Sequence, residues 1–173
     1  MPLACVTVSG RGRIDDLLAE VVRTLEADGL QLAGTVRVQP VDPLGHPCDM
    51  DLRVLPDGPV FRISQPLGRR ARGCRLDGGV IEAIAVEVEA RLAGADLLVV
   101  NKFGKLEAQG RGLCSAIVQA TDMDLPTLVG VNELNLKDFL AFSGGTARRI
   151  DAGAQAVLDW ISASREATSR HEG

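Results

Sequence analysis

The stretch ADLLVVNKFGKLEAQGRG, residues 95–112, carries the strongest indication of the fold class. Its residues 97–100 form a continuous apolar run with two β-branched side chains, which is typical of a strand buried on both faces of a parallel sheet. In open α/β sheets, ligands bind beyond the carboxyl ends of such strands. A nucleotide hydrolase usually places acidic residues there to hold magnesium, whereas this chain has Asn101 and Lys102. The stretch therefore predicts an α/β fold with an unusually basic ligand edge.

The rest of the chain alternates between strand-like and helix-like segments. Helical periodicity in IDDLLAEVVRTLEADG ends at Gly29, and alternation in MDLRVLPDGPVFRISQP indicates a β-hairpin. This order predicts a three-layer α/β domain over residues 1–165, with a mainly parallel sheet and a β-hairpin insertion, followed by a disordered tail at 166–173. The other expected elements are strands at 4–10, 32–40 and 126–132, and helices at 14–29, 79–93, 113–120 and 146–164.

The composition excludes several classes of protein. The chain has 173 residues, a net charge of −4, and only 3% aromatic residues with no tyrosine. Binding of single-stranded nucleic acid relies on aromatic stacking, and a net negative chain has no general attraction to DNA or anionic membranes. No apolar run approaches the roughly 20 residues that span a bilayer. Four cysteines without a CxxC pair, and the absence of a secretory signal pattern, favour a cytoplasmic protein with reduced thiols.

The loop SGRGRIDD, residues 9–16, occupies the place of a phosphate loop between the first strand and the first helix. It lacks the Lys-Ser/Thr pair of GxxxxGK[ST] and is too short, so it predicts a degenerate phosphate loop. Asp15 and Asp16 suit the helix dipole but would repel a phosphate. Three interpretations remain: a tight turn with solvated arginines, an anion site that uses helix N–H groups with Arg11 and Arg13, or magnesium-dependent ATP hydrolysis.

Basic residues also follow the strand of the opening stretch. We expect that strand to lie beside the first strand, so that the two loops neighbour each other and their cations converge. Glu107 then either braces the lysines or acts as a catalytic acid or base, while Gln65 and Arg75 are accessory donors. The alternative is a solvated, charge-balanced loop. The predicted anion- or nucleotide-binding residues are Ser9, Gly10, Arg11, Gly12, Arg13, Asn101, Lys102, Gly104, Lys105, Gly110 and Arg111.

The segment GHPCDMD, residues 45–51, contains side-chain types that bind metals. His46, Cys48, Asp49 and Asp51 lie close in sequence, and Cys74 approaches them if the hairpin folds back. Zinc normally takes four closely spaced ligands, which this segment does not supply locally. The sequence therefore favours ordinary reduced cysteines at 48 and 74, and no metal is predicted.

Four segments together resemble a known family. CDMDLRVLPDG, ISQPLGRRARGCRLD, LLVVNKFGKLEAQGRG and LVGVNELNLKDFLAFSGG are similar to the bacterial domain-of-unknown-function family DUF2478. The resemblance implies a remote relative of the phosphate-loop nucleoside-triphosphatases of the small thermophile type, and its members are often encoded near molybdate-transport genes. In that type a strand ends in Asp-Glu before a Gly-Lys-x-Glu run. Here Asn101 and Lys102 replace the acidic pair, whereas Gly104, Lys105 and Glu107 match.

Three functions follow as hypotheses. The first is a cytoplasmic anion- or nucleotide-binding protein of molybdenum (metal-oxyanion) metabolism or transport, with little or no hydrolysis of nucleoside triphosphates. The second is a nucleoside-triphosphatase in which Lys102 or Lys105 replaces the missing loop lysine and Glu107 activates water. The third is a non-catalytic regulator or adaptor. The expected ligand is a small anion or a nucleotide, and a protein partner or a homo-oligomer stays open.

Overall fold

The computed structural model describes residues 2–39, 50–65 and 76–170. The strands are β1 (Leu3–Val6), β2 (Leu32–Val38), β3 (Asp51–Leu55), β4 (Val60–Arg62), β5 (Leu97–Phe103), β6 (Thr127–Val131) and β7 (Arg148–Ile150). The α-helices are α1 (Arg13–Ala27), α2 (Gly78–Glu89), α3 (Lys105–Ala108), α4 (Cys114–Asp122), α5 (Leu136–Phe142) and α6 (Ala154–Ser169). A short 3₁₀ turn spans Glu133–Asn135.

The strands form one sheet in the order β4-β3-β2-β5-β6-β1-β7. Strands β7, β1, β6, β5 and β2 are parallel, and the antiparallel hairpin β3–β4 extends the sheet beyond β2. The predicted mainly parallel sheet with a hairpin insertion is therefore confirmed. The prediction that β5 lies beside β1 is wrong, because β6 pairs with both of them.

Helices cover both faces of the sheet, which confirms the three-layer architecture. The alternation of β5 divides its side chains between two cores, since Leu97 and Val99 face one helical layer and Leu98 and Val100 face the other. The first layer consists of α1 and α6 and contributes Leu18, Val21, Val22, Val157, Trp160 and Ile161. The second consists of α2, α4 and α5 and contributes Ile81, Ile84, Val88, Ala116, Ile117 and Phe139.

Two elements near the C-terminus differ from the sequence prediction. A helix was expected from residue 146, but residues 148–150 form β7 beside β1, and α6 begins only at Ala154 after the extended Gly153. β7 is too short, and too rich in arginine, for its pattern to indicate a strand. Helix α6 continues through Ser169, four residues beyond the expected boundary at 165, and Arg165 pairs with Asp96 at 3.1 Å. Residues 171–173 lie outside the described part.

Candidate functional site

The parallel strands direct their carboxyl ends, and the loops that follow them, to one edge of the sheet. The loops after β1 and β5 share this edge, but the turn after β6 stands between them. Ser9 Oγ donates a hydrogen bond to Glu133 Oε1 at 3.1 Å, and Asn135 Nδ2 donates to the carbonyl oxygen of Phe103 at 3.4 Å. The turn therefore links the two loops instead of leaving them in direct contact.

The turn before α1 is built around two glycines. Gly10 and Gly12 have φ angles of 104° and 78°, which side-chain-bearing residues rarely adopt. A Cβ at Gly10 would lie only 2.8 Å from Cδ of Arg13, which folds back over the turn. Gly12 is the N-cap and makes no side-chain cap hydrogen bond, and uncapped N–H groups at a helix start are a common place for an anion to bind.

A cavity of about 380 Å³ opens beside this turn, between α1 and the loop from β7 to α6. Arg13 lines it, so this side chain lies toward β7 and away from the loop after β5. The cavity is not predicted from the sequence, because β7 is not, and the one sequence feature that points to it is the glycine before α6. The lining residues are Val8, Arg13, Asp16, Leu17, Glu20, Ala152, Gly153 and Ala154.

Asn101 is at the centre of a polar network beneath the edge. Its side-chain oxygen accepts from the backbone N–H of Arg37 at 3.0 Å, and its Nδ2 donates to Asp15 Oδ1 at 2.8 Å. Asp15 Oδ2 in turn pairs with Arg37 Nη1 at 2.7 Å. The backbone N–H of Asn101 donates to Thr35 Oγ1 at 3.3 Å. Asn101 is only 5% exposed, so it holds α1, β2 and β5 together.

Lys102 is exposed because β5 contains a β-bulge. The register advances from Val100 opposite Val129 to Phe103 opposite Val131, which leaves one extra residue in β5. Bulges of this kind redirect side chains and are common next to active sites. Here the bulge leaves Asn101 buried and Lys102 in solvent.

The five predicted cations fall into two groups. Arg11 and Arg13 belong to the turn before α1, whereas Lys102, Lys105 and Arg111 follow β5. Arg111 is partly neutralised, because its Nε lies 3.4 Å from Glu82 Oε1, an atom that also accepts from the backbone N–H of Gly112. Within the described residues, Lys102 and Lys105 have no acidic partner.

Glu107 points into its own loop. Its carboxylate is 6% exposed and accepts from the backbone N–H groups of Gly104 at 2.9 Å and Leu113 at 3.2 Å. The thiol of Cys114 donates to the carbonyl oxygen of Glu107 at 3.0 Å. Burial, with contributions from Glu107 and Glu82, raises the pKa of the Cys114 thiol to about 11. The carboxylate of Glu107 thus closes the loop from 104 to 113, where Gly110 supplies a turn with φ of 75°.

The remaining predicted residues lie elsewhere or outside the described part. Gln65 follows the bridge between Ser64 and Leu76, at the end of the hairpin. Asp51 is paired with Arg62 at 2.5 Å in that hairpin. The accessory Arg75 and the metal candidates His46, Cys48, Asp49 and Cys74 fall among the residues that are not described.

Neither a cluster of metal ligands nor a membrane-spanning helix occurs in residues 2–39, 50–65 and 76–170. No group of three or more His, Cys, Asp or Glu side chains in these ranges could hold a metal ion. No helix within them is long and apolar enough to cross a membrane.

Comparison with solved structures finds the same fold in two proteins. The crystal structure of THEP1 from the hyperthermophile Aquifex aeolicus matches with a TM-score of 0.60 and 14% identity, over 90% of this chain and 91% of that one. The solution structure of a human cancer-related nucleoside triphosphatase matches with a TM-score of 0.59 and 18% identity, over 87% of this chain and 88% of that one. These matches confirm the phosphate-loop NTPase type of fold.

Sequence comparisons add a relative and a family. The chain is 31% identical over 159 residues to the molybdenum import ATP-binding protein ModC 2 of Bradyrhizobium diazoefficiens, a match that covers 91% of this chain and 18% of that protein. The model of the family described as "Protein of unknown function (DUF2478)" matches residues 3–160. The chain therefore belongs to the DUF2478 family.

Proposed function

We propose that the chain is a cytoplasmic protein that binds a nucleotide or a related oxyanion at the carboxyl edge of its sheet, with little or no hydrolysis, in molybdenum handling. The observation that carries the proposal is the continuity between the uncapped turn before α1 and the adjacent cavity. Arg13 belongs to both, since it folds over Gly10 and lines the cavity. One ligand can therefore place an anionic group at the turn and a larger body in the cavity.

The turn has the properties of an anion site. The N-terminal N–H groups of a long helix carry a partial positive charge, and α1 has 15 residues with no side-chain cap. Arg13 adds a full charge at the turn. Asp15, which would otherwise repel an anion, is neutralised by its ion pair with Arg37 at 2.7 Å. Asp16 also lies in the first turn of α1, and together with Glu20 of the next turn it lines the cavity.

The cavity favours a nucleotide over a bare oxyanion. Its volume of about 380 Å³ exceeds what a tetrahedral oxyanion fills, and ligand pockets typically measure about 300–1,000 Å³. Apolar and small residues form much of its wall, while the carboxylates of Asp16 and Glu20 can accept hydrogen bonds from an amino-bearing ring. A ligand of this class has a flat body that donates hydrogen bonds and carries an anionic tail.

The residues at the edge do not suit magnesium-dependent hydrolysis. Magnesium takes about six oxygen ligands, but the Asp15 carboxylate accepts from Asn101 and from the guanidinium of Arg37, whose positive charge repels a cation. β5 ends without a carboxylate. Glu107 holds two backbone N–H groups within its loop and is not placed to activate a water. The proposal accordingly assigns binding and not turnover to this edge.

The connection to molybdenum rests on the ModC 2 relative, whose name describes a molybdenum import ATP-binding protein. The match spans 18% of that protein, so its transport activity is not carried over. What supports the proposal is that a segment of similar sequence occurs within a protein of molybdenum import. The ligand or the partner of the present chain would then belong to the same process.

Paired variants test the proposal by calorimetric titration with ATP and with inorganic pyrophosphate. Arg13→Ala should weaken the binding of both ligands by about tenfold or more, since it removes a charge-assisted contact. Arg23→Ala is the matched control, because Arg23 lies on the same helix and, among the described residues, its Nε donates only to the Ala19 carbonyl oxygen. An equal loss of affinity in Arg13→Ala and Arg23→Ala would contradict a specific role for the turn.

A second pair separates the nucleotide from the oxyanion. Ala152→Leu narrows the cavity, so it should weaken the binding of ATP and leave the binding of pyrophosphate unchanged. Ala83→Leu, at an exposed position of α2, is its control. If Ala152→Leu affects neither ligand, the cavity is not part of the site and a bare oxyanion becomes the better ligand class.

A further inference from the structure

The ion pair of Asp15 and Arg37 is oriented with its cation outward. The Asp15 side chain is 16% exposed and that of Arg37 is 31% exposed, so the carboxylate is the more buried partner. Arginine carries five N–H donors, and Asp15 receives one of them through Nη1. Within the described residues the structure shows no acceptor for the others. The pair therefore presents positive charge and unused donors at the edge, although it is neutral as a whole.

Arg37 is also held in place from its backbone. Its N–H donates to Asn101 Oδ1 at 3.0 Å, and the peptide N–H of Asn101 donates to the fully buried Thr35. Asn101 Nδ2 fixes the other oxygen of Asp15 at 2.8 Å. Three residues, Asp15, Asn101 and Thr35, thus hold Arg37 in place, which reduces the ordering cost when its guanidinium meets a ligand.

This arrangement conflicts with the divalent cation that enzymes of this fold type use. Each oxygen of the Asp15 carboxylate already accepts from an N–H donor, and one of these donors is the Arg37 guanidinium. The side-chain oxygen of Asn101 likewise accepts from the backbone N–H of Arg37. A metal ion bound to either residue would lie beside the positive charge of Arg37, and like-charge repulsion disfavours that position.

We propose that Arg37 takes the place of the divalent cation: it contacts the anionic group of the ligand directly, Asp15 and Asn101 position it, and binding needs no magnesium. This inference rests on the proposed function, since it names a residue and a charge mechanism for the same site. A guanidinium suits the role because its planar fork can bind two oxygens of a phosphate-like group.

The test is calorimetric titration with inorganic pyrophosphate, in EDTA and in excess magnesium chloride, on wild-type protein and three variants. Arg37→Met should weaken binding by about tenfold or more, as expected for the loss of a charge-assisted bond. Arg37→Lys keeps the charge but not the planar fork, so its affinity for pyrophosphate should lie between those of the wild type and Arg37→Met. This second variant also keeps the test valid if Arg37→Met fails to fold.

Arg53→Met is the matched control. Arg53 also joins α1 to the β2–β3 side of the sheet, through Glu26 at 3.0 Å, with side-chain exposures of 27% and 29%. Arg53→Met should be destabilised to a similar degree and still bind pyrophosphate within about twofold of the wild type, because the contacts it loses, to Glu26 and to the Pro56 carbonyl oxygen, lie away from the proposed site. In wild-type protein, magnesium should not strengthen binding.

The other outcomes contradict the inference, and they show whether the proposed function fails with it. Unchanged binding by both Arg37 variants removes Arg37 from the site but leaves the proposed function standing. A gain of about tenfold or more on adding magnesium shows that a metal ion acts there after all. No binding of pyrophosphate or ATP by the wild type removes the proposed function, and the inference with it.

Discussion

A side chain at Gly130 would overlap the carbonyl oxygen of Asn101, because β6 and β5 approach closely at the bulge. The same Cβ would lie 2.9 Å from Leu18 Cδ1 of α1. One glycine of the neighbouring strand therefore permits the backbone geometry that buries Asn101 and exposes Lys102. The chemistry at the end of β5 depends on a residue with no side chain of its own.

Gly130→Ala should destabilise the protein by about 1–3 kcal/mol, the usual cost of forcing extra volume into a packed site. The added methyl group must displace backbone, not the flexible end of a side chain. Urea unfolding measures the loss. Gly79→Ala is the control, because its Cβ would meet only the Asp77 carboxylate at 3.4 Å and alanine suits a helix. Equal stability of Gly130→Ala and wild type would contradict the tight approach at the bulge.

The sequence contains enough to predict the fold class but not the order of the strands at the site. The apolar run at 97–100 indicates a buried parallel strand, because burial on both faces leaves a local pattern. The separation of β1 from β5 by β6 leaves no such pattern, since strand order is set by tertiary packing. Because β5 is expected beside β1 on the sequence alone, the five cations are expected to converge. In the structure they fall into two groups.

The polar network shows a second limit of sequence reasoning. Arg37 lies 22 residues after Asp15 and 64 residues before Asn101, and no short motif connects the three. From the sequence, Arg37 is predicted only as part of a strand, although it occupies the same edge as the predicted site. Glu107 is predicted there as a catalytic residue or a brace for the lysines, but the inward direction of its carboxylate depends on backbone N–H groups that sequence cannot position.

Glu107→Gln should lower the free energy of unfolding by about 1–3 kcal/mol, because one of its two backbone donors loses its acceptor. Any residual ATP hydrolysis should not change, since the carboxylate braces the loop. Glu166→Gln, at an exposed position of α6, controls for the loss of charge. Denaturant unfolding and phosphate release are measured on the same samples. A variant with normal stability and lost turnover would restore a catalytic role for Glu107.

Lys102→Ala should weaken ATP or pyrophosphate binding more than Arg111→Ala does. Lys102 is exposed and has no acidic partner among the described residues, whereas Arg111 lies 3.4 Å from Glu82. We expect affinity to fall by about tenfold in Lys102→Ala and to change little in Arg111→Ala. The difference between the two variants should shrink in high salt. Calorimetric titration at two ionic strengths measures both. The reverse ranking would place the ligand over the α2 side of the edge.

Stability should fall as pH rises above about 9, through the thiol of Cys114. Its pKa is raised from 9.0 to about 11 by burial and by Glu107 and Glu82. Between those values the unfolded chain loses the proton and the native state keeps it, so stability drops by up to about 1.4 kcal/mol per pH unit. Burial raises the pKa of Cys5 as well, which adds to the same slope.

Cys114→Ala should flatten this dependence when urea unfolding is followed from about pH 8 to about pH 10.5. The comparison uses the slope and not the absolute stability, because the variant also loses the bond to the Glu107 carbonyl oxygen. An identical slope in wild type and variant would mean that the thiol titrates normally in the folded protein.

The most direct measurement is a melting-temperature screen of the purified protein with ATP, ADP, pyrophosphate, molybdate and tungstate, each in EDTA and in excess magnesium chloride. A ligand present at about 100 times its dissociation constant stabilises the native state by about 2.7 kcal/mol, which raises the melting temperature by several degrees. We predict such a rise with at least one nucleotide, and its loss in Arg13→Ala but not in Arg23→Ala. No rise with any of these anions at millimolar concentration would contradict the binding function, and would favour a regulator or adaptor whose basic edge meets a protein partner.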